Sequence, residues 1–214
     1  IDGCIEMISR KYNFVFQHIP KCAGSSIINF FIELHKQSNC LGDLQYEMHQ
    51  TFKQSKDKYR MYYDKFFKFT FVRNPWSRAV SLFEYRKKLA EQGVTYPHWP
   101  SIKDILKDDF YDTVQKDFSN TNSSVQFLEE GCSSDYWLSP KIKKNINFIG
   151  RFESFEKDFE FILNELSIPH HLELPHENKS SKKHYSEYYN DETRNLVAIK
   201  YKRDIELFGY KFED

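Results

Sequence analysis

The stretch "NFVFQHIPKCAGSSIINFF", residues 13–31, decides the fold of this chain. Phe14, Val15 and Phe16 form a short continuous apolar run, so residues 13–19 read as a buried strand. Pro20 then directs the chain outward, and Gly24 supplies freedom for a tight turn. From Ser25 the pattern becomes helical, with Ile27, Phe31 and Leu34 at i, i+4 and i+7. Backbone N–H groups at the start of such a helix point into the loop, and the helix dipole adds partial positive charge there. Lys21 brings a full charge, and Ser25 and Ser26 bring hydroxyl donors. These groups can hold a phosphate or sulfate. The blander alternative is a tight turn with a solvated lysine and a Ser25 that merely caps the helix. The loop lacks the Gly-Lys-Ser/Thr ending of the P-loop NTPases, because Lys21 precedes Gly24.

The same grammar recurs in "FFKFTFVRNPWSRAVSLFEYRKK", residues 66–88. Phe67, Phe69 and Phe71 alternate, and Val72 and Arg73 close the strand. Asn74 suits an N-cap and Pro75 the first helical position. Trp76, Ala79, Val80 and Phe83 line one helical face. Arg73 and Ser81 are candidates for a second phosphate, since a guanidinium fork suits bidentate phosphate contact. The alternative is that Arg73 pairs with a nearby carboxylate and Ser81 fills a helix–sheet gap.

"INFIGRF", residues 146–152, reads as a third strand. A helix capped by Ser154 follows, with Phe155, Phe159, Ile162, Leu163 and Leu166 on one stripe and Pro169 beyond its end. A final helix starts near Asn190, carries Thr193, Val197, Tyr201, Ile205 and Phe208 on one face, and stops at Gly209. Alternating strands and helices predict an α/β class with a central, largely parallel sheet flanked by helices. Ligands of such sheets bind at the carboxyl ends of the strands. Residues 93–145 contain Pro97, Pro100, Pro140 and the polar run "SNTNSS", and read as an irregular acceptor-side insertion in a single domain spanning 1–214.

Composition limits the function. The 31 basic and 31 acidic side chains cancel, so nucleic-acid binding by bulk charge is not expected and any anion site must be local. Hydrophobic residues make up 40% and charged residues 29%, which fits a globular chain. The cysteines at 4, 22, 40 and 132 form no C-x-x-C pair, and no carboxylate–histidine cluster calls for a metal. No apolar run approaches the ~20 residues of a transmembrane helix. The chain begins with Ile1, which leaves room for an upstream anchor or leader.

"HIPKCAGSS" followed by "FTFVRNPWSRAVS" resembles the Golgi-type and bacterial sulfotransferase family that includes heparan sulfate 2-O-sulfotransferase. The paired motifs are specific where either alone is not, and the likeness extends over most of 13–212. It implies a P-loop-like three-layer fold and 3′-phosphoadenosine 5′-phosphosulfate (PAPS) as co-substrate, with no metal. Lys21 would contact the phosphosulfate bridge. Cys22, Ala23, Gly24, Ser25 and Ser26 would form the cradle of the 5′-phosphate. Arg73 and Ser81 would hold the 3′-phosphate, and Asn178, Lys179 and Ser180 would lie on a loop closing over the nucleotide. Cys22 departs from the family's usual threonine, which removes a hydroxyl but keeps the amides. A thiol near a helix N-terminus can also be reactive.

Transfer to a hydroxyl calls for a general base, and a histidine is the default. The resemblance places a catalytic histidine after the first helix, and His49 in "YEMHQTF" is the candidate. His18, Glu33 and Glu47 are the alternatives. The family points to a carbohydrate hydroxyl as acceptor. Lys53, Lys56, Lys58, Arg60, Lys65 and Lys68 could offer it a basic face, although a solvated helix surface is the favoured reading; Tyr96, Trp99, Tyr136 and Trp137 are stacking candidates or core of the insertion, and Gln126 is a polar candidate. The compartment would be the cytoplasm for a bacterial enzyme and the Golgi lumen for a trimmed eukaryotic one. The competing readings are a P-loop-type kinase or NTPase and a non-catalytic nucleotide- or glycan-binding module on the same fold.

Overall fold

The computed structural model describes residues 5–48, 64–94, 109–119, 146–169 and 183–213. The chain divides into two compact units, Ile1–Arg73 with Trp137–Asn178, and Asn74–Tyr136 with Lys179–Asp214.

The first unit is a five-stranded sheet with helices. Its strands are β1 (Ile5–Ser9), β2 (Phe14–Gln17), β3 (Leu44–Met48), β4 (Phe67–Val72) and β5 (Phe148–Arg151), in the order β3-β1-β2-β4-β5. The three strands expected from sequence are there, and β2, β4 and β5 run parallel. The sheet as a whole is mixed, however, because β1 pairs antiparallel with both β2 and β3. This corrects the expected parallel sheet. The class remains α/β.

Helix α1 (Gly24–Gln37) and helix α2 (Phe155–Glu165) both pack on one face of this sheet. The reason is the two-residue alternation of the strands. Phe14 and Phe16 on β2 and Phe69 and Phe71 on β4 project to the same side and are buried there. Phe31 of α1 lies 4.3 Å from Phe14 between ring centroids, Phe30 lies 5.1 Å from Phe159 of α2, and Phe71 lies 5.3 Å from Phe155. Each such ring contributes about 1.5–3 kcal/mol by leaving water. Gly150 on β5 admits the Phe71 ring, since a Cβ there would stand 2.5 Å from it.

The other face is also buried, at Val15, Gln17, Lys68, Thr70 and Val72. Lys68 therefore does not belong to an exposed basic face: its ammonium donates to the Phe66 carbonyl at 2.7 Å. Lys65 is exposed, and Lys53, Lys56, Lys58 and Arg60 lie outside the described residues. The Ser154 side chain does not cap α2 but donates to Asp158 Oδ2 at 2.8 Å.

The second unit, as described, is helical: α3 (Pro75–Glu91), α4 (Phe110–Ser119), α5 (Asp191–Lys200) and α6 (Lys202–Phe208). Asn74 caps α3 as expected, accepting from the Trp76 and Ser77 amides, and its own amide donates to the Lys211 carbonyl at 2.8 Å. Part of the 93–145 insertion is regular structure, because α4 sets Phe110 against Phe83 and Tyr189. Tyr96, Trp99, Gln126, Tyr136 and Trp137 lie outside the described residues. The expected single final helix is broken at Tyr201 into α5 and α6. The break turns Asp204 inward in place of Ile205, and Asp204 meets Arg78 of α3 at 3.6 Å. Gly209 ends α6 in the left-handed conformation, φ 69°, as expected.

Candidate functional site

Three parallel strands deliver three chain exits to one edge of the sheet. Beyond the carboxyl end of β2 comes the loop with Lys21, beyond β4 comes Arg73, and beyond β5 comes Phe152. Thr70 ties β4 to β2 by donating its hydroxyl to the Gln17 carbonyl at 2.8 Å. This is the edge at which open α/β sheets bind ligands.

The loop after β2 has an unusual backbone. Lys21 and Ala23 both take positive φ, 66° and 64°, although neither is glycine. A left-handed residue of this kind costs about 1–2 kcal/mol, so the surroundings must hold it. Between them, the Cys22 amide donates back to the Ile19 carbonyl at 3.3 Å and closes a turn. Ala23 is the N-cap of α1, and no side chain caps the helix. The Ser25 cap that the blander alternative calls for does not form, and the first N–H groups of α1 are not taken up by a side-chain cap. Ser26 is buried, and Ser25 and Lys21 are half-buried.

Gly24 plays a different part from the one expected. Its φ is not positive. A Cβ on it would lie 1.8 Å from Cδ2 and 2.1 Å from Nε2 of His18. The glycine is needed for close approach of the imidazole, which is buried beneath the start of α1. Cys22 is buried too, and its thiol lies 3.7 Å from the Pro20 carbonyl it donates to. Neither its thiol nor its amide, which the Ile19 carbonyl accepts, is turned to the loop's open side.

Arg73 joins the second motif to the first. Its Nη1 donates to the Lys21 carbonyl at 3.2 Å, and its guanidinium carbon lies 3.9 Å from the centroid of the Phe152 ring. Two cationic side chains therefore stand at one loop, beside a helix start and two hydroxyl groups. A set of amide, ammonium, hydroxyl and guanidinium donors fits the charge of a phosphorylated nucleotide. Phe152 was not singled out from sequence, although the register could have found it. Val72 pairs with Arg151, so the next positions, 73 and 152, leave the sheet side by side.

Ser81 is buried on α3, in the second unit. His49, Asn178, Lys179 and Ser180 lie outside the described residues. Glu33 is exposed on α1, where it pairs with Lys36 at 3.7 Å. It lies roughly 14 Å along the helix from Gly24 at 1.5 Å per residue, too far to serve the loop as a base. Glu47 is in β3, two strands from β2. Among the described residues, no group of His, Cys, Asp and Glu could hold a metal ion, and no helix is long and apolar enough to cross a membrane.

Comparison with known proteins gives two matches. The profile described as "Sulfotransferase family" matches residues 6–211. Carbohydrate sulfotransferase 10 of Xenopus laevis is 24% identical over 180 residues, covering 69% of this chain and 48% of that protein. The chain thus spans about half the length of the curated relative it matches. No solved structure gives a significant match.

Proposed function

The chain belongs to the sulfotransferase family, and from that membership we propose that it moves a sulfuryl group from PAPS to an acceptor hydroxyl on a carbohydrate. The observation that carries the reading is the Arg73–Lys21 contact, 3.2 Å, by which the two motifs meet at the carboxyl edge of the parallel strands. The uncapped start of α1, with Lys21 beside it, suits the 5′-phosphate. Arg73 is assigned to the 3′-phosphate, and the family's second motif assigns Ser81 to it as well. Asn178, Lys179 and Ser180 are proposed to close over the nucleotide. The carbohydrate acceptor rests on the name of the Xenopus relative.

In the proposed reaction the acceptor oxygen bonds to sulfur as the bond from sulfur to the bridging phosphate oxygen breaks. Negative charge grows on that bridging oxygen, and Lys21 with the loop amides offsets it. The acceptor proton passes to His49 as general base. The products are the sulfated acceptor and 3′-phosphoadenosine 5′-phosphate.

Two measurements test this. 3′-Phosphoadenosine 5′-phosphate at a hundred times its Kd should stabilise the protein by about 2.7 kcal/mol, without magnesium. Stabilisation by ATP with magnesium instead would point to a kinase or NTPase. His49→Ala should retain nucleotide binding and lose turnover by ~10²–10⁴-fold. Unchanged turnover would remove His49 from the base role, and a wild-type chain that binds nucleotide but never turns over would be a binding module.

A further inference from the structure

We propose that Phe152 is a positioning residue of the donor site, acting through Arg73: its ring orients the guanidinium that braces the left-handed Lys21 loop. This rests on the donor-site reading above, but its physical content is local. A guanidinium on a flexible stem can adopt many rotamers, and a loop with two non-glycine residues at positive φ needs outside support. The structure supplies both constraints in one stack. Phe152 lies 3.9 Å from the guanidinium carbon, the separation of a face-on cation–π contact. The same guanidinium donates to the carbonyl of Lys21, one of the two left-handed residues. Arg73 is 9% exposed, so the contact is largely shielded from water, where such an interaction is strongest.

The ring is fixed in turn by the sheet. β5 pairs with β4 through Val72 and Arg151, and Phe152 opens the short 3-10 turn of Phe152–Ser154 directly after it. The Arg151 amide donates to Asp158 Oδ2 at 2.7 Å, and the Ser154 hydroxyl donates to the same oxygen, so one carboxylate gathers both sides of that turn. The planar fork can bond a carbonyl and contact a phosphate together because its donors point in several directions. A lysine at 73 would keep the charge and lose the stack and the fork. The turn after β5 therefore contributes to the cradle through Arg73.

The test compares Phe152→Leu, Phe152→Tyr and Arg73→Lys in the full chain, alone and in the Phe152→Leu/Arg73→Lys pair. Binding of 3′-phosphoadenosine 5′-phosphate is measured by calorimetry, and backbone amide exchange of residues 21–26 by mass spectrometry. Phe152→Leu should weaken binding roughly 2- to 30-fold, the range open to one cation–π contact. Phe152→Tyr should bind like wild type. Once Arg73 is lysine, Phe152→Leu should cost nothing further. Amides 21–26 should exchange faster in the Leu and Lys variants. Additive losses, or loop exchange equal to wild type in Phe152→Leu, would overturn the proposal. If the wild-type chain does not bind the nucleotide, the donor reading fails, and the exchange result alone decides the role of Phe152. Should Phe152→Leu not fold, exchange in Arg73→Lys decides it: faster exchange supports the brace and unchanged exchange overturns it.

Discussion

Gly24 shows what a single residue can hide. In sequence it reads as the pivot of a turn, because glycine tolerates backbone angles that other residues avoid. In the structure the left-handed positions are Lys21 and Ala23, and Gly24 is instead the place where the His18 ring meets the backbone. No local pattern could have separated the two, since close approach depends on a side chain six positions earlier folding back under the helix. The contact makes a firm prediction. Gly24→Ala should lower stability by about 1–3 kcal/mol, the usual range for overpacking, despite the better helix propensity of alanine. In a His18→Ala background the added methyl has room, and the same change should cost little or become favourable. Urea denaturation of the four proteins measures the coupling. An equal loss in both backgrounds would show that His18 is not what excludes a Cβ.

At the scale of elements, apolar stripes and most caps were legible, Ser154 being the exception, and the breaks between elements were not. Asn74 and Pro75 announce the start of α3, and the Asn190 side chain closes a capping box with Thr193 at the start of α5. These are short-range devices, written within a few residues of each other. The division between α5 and α6 depends instead on a partner far away in sequence. Continuing the stripe from Val197 and Tyr201 predicts Ile205 inside, but Arg78 of α3 draws Asp204 inward, and both charged groups are buried. A buried ion pair adds little over an apolar pair of the same size, but removing one member strands the other. Arg78→Met should therefore cost about 3–5 kcal/mol, and Arg78→Met with Asp204→Leu should recover most of it. Denaturation midpoints give both values. A double variant no more stable than the single one would mean that α6 is held in place by other contacts.

At the scale of the whole molecule, the three parallel strands and the loops that follow them could be read from apolar runs, while β1 and β3 could not. Both carry acidic residues, and β3 reaches β1 over a long separation, Met48 with Ile5, a pairing that leaves little trace in a local window. The cost of missing β1 was also missing what fastens it to α1. His35 Nδ1 donates to the Phe31 carbonyl at 2.7 Å, which leaves Nε2 to accept the Ser9 hydroxyl at 2.9 Å. Ser9 Oγ in turn accepts the Tyr12 amide at 3.1 Å. The neutral imidazole thus satisfies both nitrogens, and a second proton would set Nε2–H against a hydroxyl already turned toward it. Burial is the largest influence and lowers the His35 pKa from its ordinary 6.5, the bond to the Phe31 carbonyl opposes it, the Lys11 charge lowers it further, and Asp43 acts the other way. With the folded pKa below the unfolded one, the unfolded chain binds more protons between the two values. Stability from this group is complete above pH 6.5 and is lost as pH falls from there through the folded value. The slope it adds is at most about 1.4 kcal/mol per pH unit, the limit for one proton. The difference between wild type and His35→Gln isolates the contribution. The variant is expected to be less stable at pH 8, where the network is intact in wild type, and to lose less stability on going to pH 5. Parallel stability curves for the two proteins across that range would show that His35 is not the group whose protonation loosens β1 from α1.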